Sequence, residues 1–279
     1  MKVAVVTPYL NEPESTLERC HNSVLAQHHP ATHFLVSDGG QRAPASWRGE
    51  HIHLPEPHRD GGCTPRFLGA VSAFNQGYDA VAFLDADNWY SADHIDRCVA
   101  ARRATGAHVV FASRHIVLAD GQSCPFEDID VARRHHVDTS CYFIAADAAY
   151  LLSVWAFVGP NLWPACDRLF FSTVMRRQTP HAWTDMRTVY YTSRWGLHYK
   201  AVGRPPPDDE HVIDWRCVLQ QADRAPLLES LGCAPLADLI GNVHAIGTIE
   251  TENDEAFWTR LEPVMASKPR EPAPAAGLW

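Results

Sequence analysis

The chain has 279 residues, 46% of them hydrophobic and 20% charged, which excludes wholesale disorder and suffices for one large α/β core with additions. With 24 Lys+Arg against 33 Asp+Glu the formal net charge is −9, so no broad basic face exists for nucleic-acid phosphates, and any bound phosphate must be met locally by a metal ion, backbone N–H groups or a few arginines. No apolar run approaches the roughly 20 residues that span a bilayer. The opening Met1-Lys2-Val3-Ala4 enters a strand without the regions of a signal peptide, so a cytoplasmic location is the expectation.

Val3-Ala4-Val5-Val6 is an apolar, β-branched run closed by Thr7-Pro8, the pattern of a buried strand ending in a loop. Residues 14–27 then place Leu17, Cys20, Val24 and Leu25 at helical intervals. The unit recurs: Phe34-Leu35-Val36 runs into Ser37-Asp38-Gly39-Gly40, and a helix expected over 65–77 leads to a strand over 80–84. Repeated βα units predict a mostly parallel sheet with helices on both faces. Ligands of such sheets collect at the carboxyl ends of the strands, where the loops 7–12, 37–40 and 85–88 converge.

A helix from Asp93 to residue 104 and a strand over 108–112 continue the pattern, and Asp138-Thr139-Ser140 precedes a further strand at 141–144. The second half, rich in Trp and His, suits an acceptor-binding region. Pro205-Pro206-Pro207-Asp208-Asp209-Glu210 is a stiff acidic break that neither a helix nor a central strand tolerates, expected as a surface loop or lid. Helices are expected over 211–222, 225–231 and 253–265, with a disordered end from residue 268. The eight cysteines lie scattered, without a CxxC pair, and read as reduced, partly buried thiols.

Asp85-Ala86-Asp87-Asn88 follows an apolar strand directly. Burying two carboxylates there is costly unless something positive neutralises them. Mn²⁺ or Mg²⁺ bound to a diphosphate does so, because such ions prefer oxygen ligands and keep positions for phosphate oxygens. The alternative is that both aspartates only cap the next helix.

Thr7-Pro8-Tyr9-Leu10-Asn11-Glu12, Ser23-Val24-Leu25-Ala26-Gln27, Val36-Ser37-Asp38-Gly39 and Phe83-Leu84-Asp85-Ala86-Asp87 stand in an order and spacing similar to family 2 glycosyltransferases, which residues 1–115 resemble. The resemblance implies an α/β, Rossmann-like GT-A fold: a mixed, mostly parallel sheet flanked by helices, with a C-terminal helical extension. Its GT-A domain would cover 1–204, with a nucleotide-sugar half over 1–115 and an acceptor half over 116–204, followed by a lid loop and helices over 205–267.

The resemblance further implies that Thr7, Pro8, Tyr9, Glu12, Asp38, Arg66, Asp85 and Ala86 form the nucleotide site, with Asp38 on the base and Tyr9 and Glu12 at the nucleoside. Asp87 would ligate the metal directly and Asp85 would meet the ribose or a metal-bound water. His198, within Trp195-Gly196-Leu197-His198-Tyr199, would be a further metal ligand, since neutral imidazole suits Mn²⁺. Asp167 stands where the family places a carboxylate base for inverting transfer, with Cys166 in place of the usual Glu. Trp163, Trp195 and Asp138 are expected at the acceptor.

The expected reaction moves a sugar from a nucleoside diphosphate sugar, UDP before GDP, to a hydroxyl acceptor; a second copy of the chain is an open option as partner. Two alternatives stand beside it: a nucleotidyltransferase, which needs a glycine-rich basic loop that 7–12 lacks, and a catalytically idle nucleotide-binding module of the same fold.

Overall fold

The computed structural model describes residues 1–125, 136–212, 218, 224–236, 238 and 239. Its first strand, β1 (Val3–Tyr9), is buried at every position, as an unbroken apolar run requires when helices cover both sides of a sheet. The strand pairs in parallel with β2 (Ala31–Asp38) on one side and β4 (Ala80–Phe83) on the other, and β2 pairs in parallel with β3 (Glu50–Leu54).

Helix α1 (Glu14–Leu25) crosses from β1 to β2 and buries Leu17, Cys20, His21 and Val24. Helix α2 (Cys63–Asn75) leads into β4 and packs its backbone tightly on the sheet. A Cβ at Gly69 would lie 2.6 Å from Val6 Cγ1 and 2.9 Å from Val36 Cγ2, so any side chain there would push α2 off β1 and β2.

The sheet continues through β5 (Trp89–Tyr90), β6 (Val109–Val117), β7 (Tyr142–Ala145) and β8 (His181–Thr192), in the order β3-β2-β1-β4-β7-β6-β8-β5. Helix α3 (His94–Thr105) connects β5 to β6. After the short turn α4 (Ser153–Ala156), helix α5 (Cys166–Arg176) brings Phe170 onto Trp155, stacked at 4.3 Å, and Trp155 meets Phe83 edge-on at 4.7 Å. Two short helices follow, α6 (Gly196–Ala201) and α7 (Ala225–Ser230).

Four strand pairings are parallel and three antiparallel, so the sheet is mixed and mostly parallel, as expected. The strand after Asp138 enters antiparallel between β4 and β6, which separates two strands that the repeated βα pattern made neighbours. Strands β3, β5 and β8 lie outside the strands that the sequence pattern predicts. In β8 the register against β6 jumps from Phe111–Trp183 to Ser113–Arg187, and Asp185 between them has φ 52°. That left-handed residue interrupts the alternation by which a strand is recognised.

The Pro205–Pro207 region is a loop, as its composition requires, and the helix expected over 225–231 is present. The helix expected over 211–222 falls mostly outside the described residues, and those at 253–265 and the end from 268 fall wholly outside them. By internal contacts the chain divides into two compact units, Met1–Ala234 and Pro235–Trp279. The described cysteines are free and all buried; Cys217 lies outside the described residues. No described helix is long and apolar enough to cross a membrane.

The chain leaves β1 on one side to form β2 and β3, then returns to form β4 on the other. Loops at the carboxyl ends of β1 and β4 therefore diverge, which opens a crevice between Tyr9 and Asp85.

Candidate active site

A cavity of about 360 Å³ fills that crevice. Pro8, Tyr9 and Glu12 line it from β1, Asp38 from β2, Arg66 from α2, and Asp85, Ala86 and Asp87 from the loop after β4. Asp138, Trp163, Asp167 and Trp195 close it from the second half. Residues more than 150 positions apart thus share one wall, and of the predicted site residues only Thr7 and His198 do not line it.

Thr7 lies outside the cavity lining. It stands two residues below the strand end, fully buried, with its hydroxyl 2.8 Å from His33 Nε2 and 3.6 Å from Cys20 Sγ. His198 also lies outside it: it is buried and its Nδ1 lies 2.6 Å from the Ser193 hydroxyl. His211, which no sequence pattern marked, lines the cavity instead. Its ring sits edge-on to Trp195 at 5.2 Å and Trp163 at 6.2 Å. Burial, then the Arg194 charge, lower its pKa, so the imidazole is neutral near pH 7 and able to bind a metal.

Each aspartate in the cavity is met by a cation or an N–H donor. Asp85 Oδ1 accepts from Arg66 Nη2 at 2.5 Å, and Oδ2 accepts from the Thr139 hydroxyl at 2.9 Å. Arg66 is 4% exposed and also donates to the Gly61 carbonyl at 2.8 Å. Burial disfavours its charge, yet Asp85 more than offsets this and raises its pKa. Asp87 Oδ2 accepts from Arg194 Nη2 at 2.9 Å. Asp38 accepts from the His58 backbone N–H at 3.1 Å and lies 2.7 Å from its Nδ1.

Asp138 caps the turn Thr139–Cys141 by accepting from Ser140 N at 2.9 Å, and pairs with Arg114 at 2.8 Å. Asp167 Oδ2 lies 2.5 Å from His136 Nε2, and Oδ1 accepts from its own neighbour's N–H, Arg168 N, at 2.7 Å. Tyr9 and Glu12 are partly committed elsewhere: the Tyr9 hydroxyl accepts from Ala43 N at 2.9 Å, and Glu12 Oε2 accepts from Leu10 N at 2.7 Å. Trp195 Nε1 donates to the Tyr191 hydroxyl at 2.7 Å, which fixes its indole at the cavity wall.

These pairings do not fully offset the burial of two of the carboxylates. Burial and then the neighbouring Asp85 push Asp87 up from its ordinary 3.8 to about 6, against the pull of Arg194. Burial likewise raises Asp138, with Asp85 and Asp167 adding to it. Asp167 behaves oppositely: burial pushes it up, but His136 and Arg168 hold it below the usual carboxylate range.

Among the described residues no group of three or more His, Cys, Asp or Glu is drawn together as a metal cage. The donor set nevertheless fits an oxygen-preferring divalent ion that completes its shell with phosphate oxygens. Asp87 is an under-compensated carboxylate, and neutral His211 lines the same cavity.

The Arg66–Asp85 pair carries a stability prediction. Removing one partner of a buried pair costs about 3 kcal/mol, because the other charge is left uncompensated. Arg66→Met is therefore expected to lower Tm by roughly 6–12 °C, and adding Asp85→Asn to recover at least half of that. A single variant melting with the wild type would show that the pair contributes nothing.

Residues 4–134 match the family model described as Glycosyl transferase family 2. Over these residues, just under half of the chain, the sequence is similar to glycosyl transferase family 2. The match covers Asp38, Arg66, Asp85 and Asp87 but ends before Asp138, Asp167, Arg194 and His211. Among solved structures, S. aureus TarS 1-349 in complex with UDP-GlcNAc has a TM-score of 0.59 and 16% identity, over 94% of this chain and 70% of that one. TarS 1-349 in complex with UDP gives 0.52 and 16%, over 72% and 63%, and S. aureus TarS gives 0.54 and 16%, over 72% and 38%. At these identities the likeness shows the fold, which is GT-A. The chain spans 63% and 38% of the latter two proteins. No curated protein matches it.

Proposed function

We propose that the chain transfers a sugar from a UDP-sugar to an acceptor hydroxyl, with inversion, using Mn²⁺ or Mg²⁺ at Asp87. What carries the reading is the convergence of Asp38, Asp85 and Asp87 from the family-matched half with Asp167 in one cavity at the β1/β4 crevice. UDP is preferred to GDP because TarS is described with UDP and UDP-GlcNAc.

In this reading Asp38 accepts from the base, and Arg66 holds Asp85 in place beside the ribose. Asp87 and His211 hold the cation, which supplies positive charge to the leaving diphosphate. Asp167 takes the acceptor proton as the hydroxyl oxygen attacks the anomeric carbon from the side opposite the diphosphate. His136 keeps that carboxylate oriented and ionised. Trp163 and Trp195 offer apolar faces for the acceptor, beside Asp138.

The nucleotidyltransferase alternative has a specific difficulty. Gly61-Gly62 opens α2 at the cavity, but Asp60 already accepts from Cys63 N through its carbonyl and from Thr64 N through its carboxylate. The N–H groups that would cradle a triphosphate are thus engaged. The idle-module alternative rests on Cys166, which leaves Asp167 without a second carboxylate beside it.

Thermal-shift titration tests the reading. UDP with Mn²⁺ at about 100 times its Kd is expected to stabilise the chain by about 2.7 kcal/mol, a rise of roughly 5–10 °C. GDP or UDP without the metal should give much less, and UDP should be released from a UDP-sugar only when an acceptor is added. A shift with nucleoside triphosphate accompanied by pyrophosphate release would replace it with the alternative.

A further inference from the structure

Two arginines neutralise the two aspartates of the loop after β4, but they are built differently. Arg66 is locked: its side chain is 5% exposed and divided between Asp85 and the Gly61 carbonyl. Arg194 is 35% exposed and reaches Asp87 Oδ2 from the segment that follows β8. The backbone leading to it is pinned, since Thr192 Oγ1 donates to the Asp87 carbonyl at 2.6 Å and Thr192 N donates to Asn88 Oδ1 at 2.9 Å. Only the Arg194 side chain is therefore free to exchange partners.

A second partner is within reach. Arg194 Nη1 lies 3.7 Å from Asp209 Oδ2, in the acidic loop after Pro205-Pro206-Pro207. The same loop is tied to Arg194 through its backbone, because His211 N donates to the Arg194 carbonyl at 2.9 Å. Glu210 lies against Gly196, where a Cβ would come within 1.9 Å of Glu210 Oε1. One guanidinium thus spans a carboxylate of the cavity and a carboxylate of the loop that carries His211.

We propose that Arg194 is a resident counter-cation that competes with the divalent ion for Asp87 and, once displaced, is retained by Asp209. The inference rests on the metal reading given above. A divalent ion bound at about 2.1 Å to the Asp87 carboxylate would lie within a few ångströms of a guanidinium held 2.9 Å from the same group. Both charges cannot share it without strong repulsion. Asp209 is 70% exposed and gives the released guanidinium a second carboxylate without further movement of the chain.

The test is Mn²⁺ binding to the full chain without donor, followed by the paramagnetic signal of free Mn²⁺ at about pH 8, above the value of about 6 to which Asp87 is pushed in the wild type. Arg194→Met is expected to bind Mn²⁺ about 5-fold tighter, which corresponds to roughly 1 kcal/mol. Arg194→Lys keeps a competing charge and should stay within about 2-fold of the wild type. Arg194→Gln, which keeps a donor but no charge, serves if the methionine variant does not fold, with the same tightening expected. Unchanged or weaker binding in the neutral variants, beside clear binding in the wild type, overturns the competition and leaves the metal reading standing. Absence of binding in wild type and neutral variants alike overturns both.

Discussion

Asp87→Asn is expected to abolish Mn²⁺ binding and to lower turnover about 10³-fold, the several kcal/mol that a cation supplies to a leaving diphosphate, while making the metal-free protein more stable. The opposite signs have one cause. Asp87 is pushed up to about 6 by burial and by Asp85, so its ionised form is disfavoured in the fold. For an acid with a raised folded pKa, stability is fully present below its unfolded value and is lost as pH rises through the folded one. The loss here develops between the ordinary 3.8 and about 6, and amounts to up to about 3 kcal/mol at neutral pH.

Asn carries no such charge, but it strands Arg194, so the net gain at about pH 7.5 is roughly 1–2 kcal/mol, or about 4 °C in Tm. The gain should vanish near pH 4, where the wild-type carboxyl is protonated as well. Melting curves of the two proteins at both pH values, without metal, check it. A variant that binds Mn²⁺ as the wild type does would remove Asp87 from the metal site, and one no more stable at neutral pH would show that the carboxylate is compensated.

Asp167→Asn separates the base from the donor site. Asparagine keeps an acceptor for His136 Nε2 but cannot take a proton, so transfer should fall about 10³-fold, within the range for loss of a positioned general base. The thermal shift produced by UDP with Mn²⁺ should stay within about 1 °C of the wild type, because donor binding relies on other residues. His136 and Arg168 hold Asp167 below the ordinary carboxylate range, so it remains ionised through neutral pH. The acid fall of activity should then follow Asp87 rather than Asp167. Transfer surviving within tenfold of wild type would pass the role of base to another group, Asp138 being the other cavity carboxylate of the second half.

Much of this site was legible before any coordinates. Parallel strands buried on both faces have to be continuous apolar runs, so 3–6, 34–36 and 80–84 announced themselves. Polar residues at their ends had to face the crevice where ligands of such sheets lie. Asp38, Asp85 and Asp87 follow from that alone, and family resemblance added Arg66 and Asp167. Motif membership, however, specifies a neighbourhood and not a side-chain direction: Thr7 points into the packing of α1 against the sheet, and His198 turns to Ser193.

What the sequence by itself determined was the set of carboxylates and the strand ends that bear them, because burial and backbone pattern are local. Only the tertiary structure decided what neutralises them. Asp85 and Asp87 need positive charge beside them, and the side chains that meet them are Arg66 and Arg194, with Arg114 and His136 answering Asp138 and Asp167. Arg194 and His211 come from the segments after β8, a strand whose pattern Asp185 conceals, and reach Asp87 and the cavity wall only because β8 lies beside β6 and pairs with β5. Charge compensation acts through space, and no local periodicity records which distant residue supplies it.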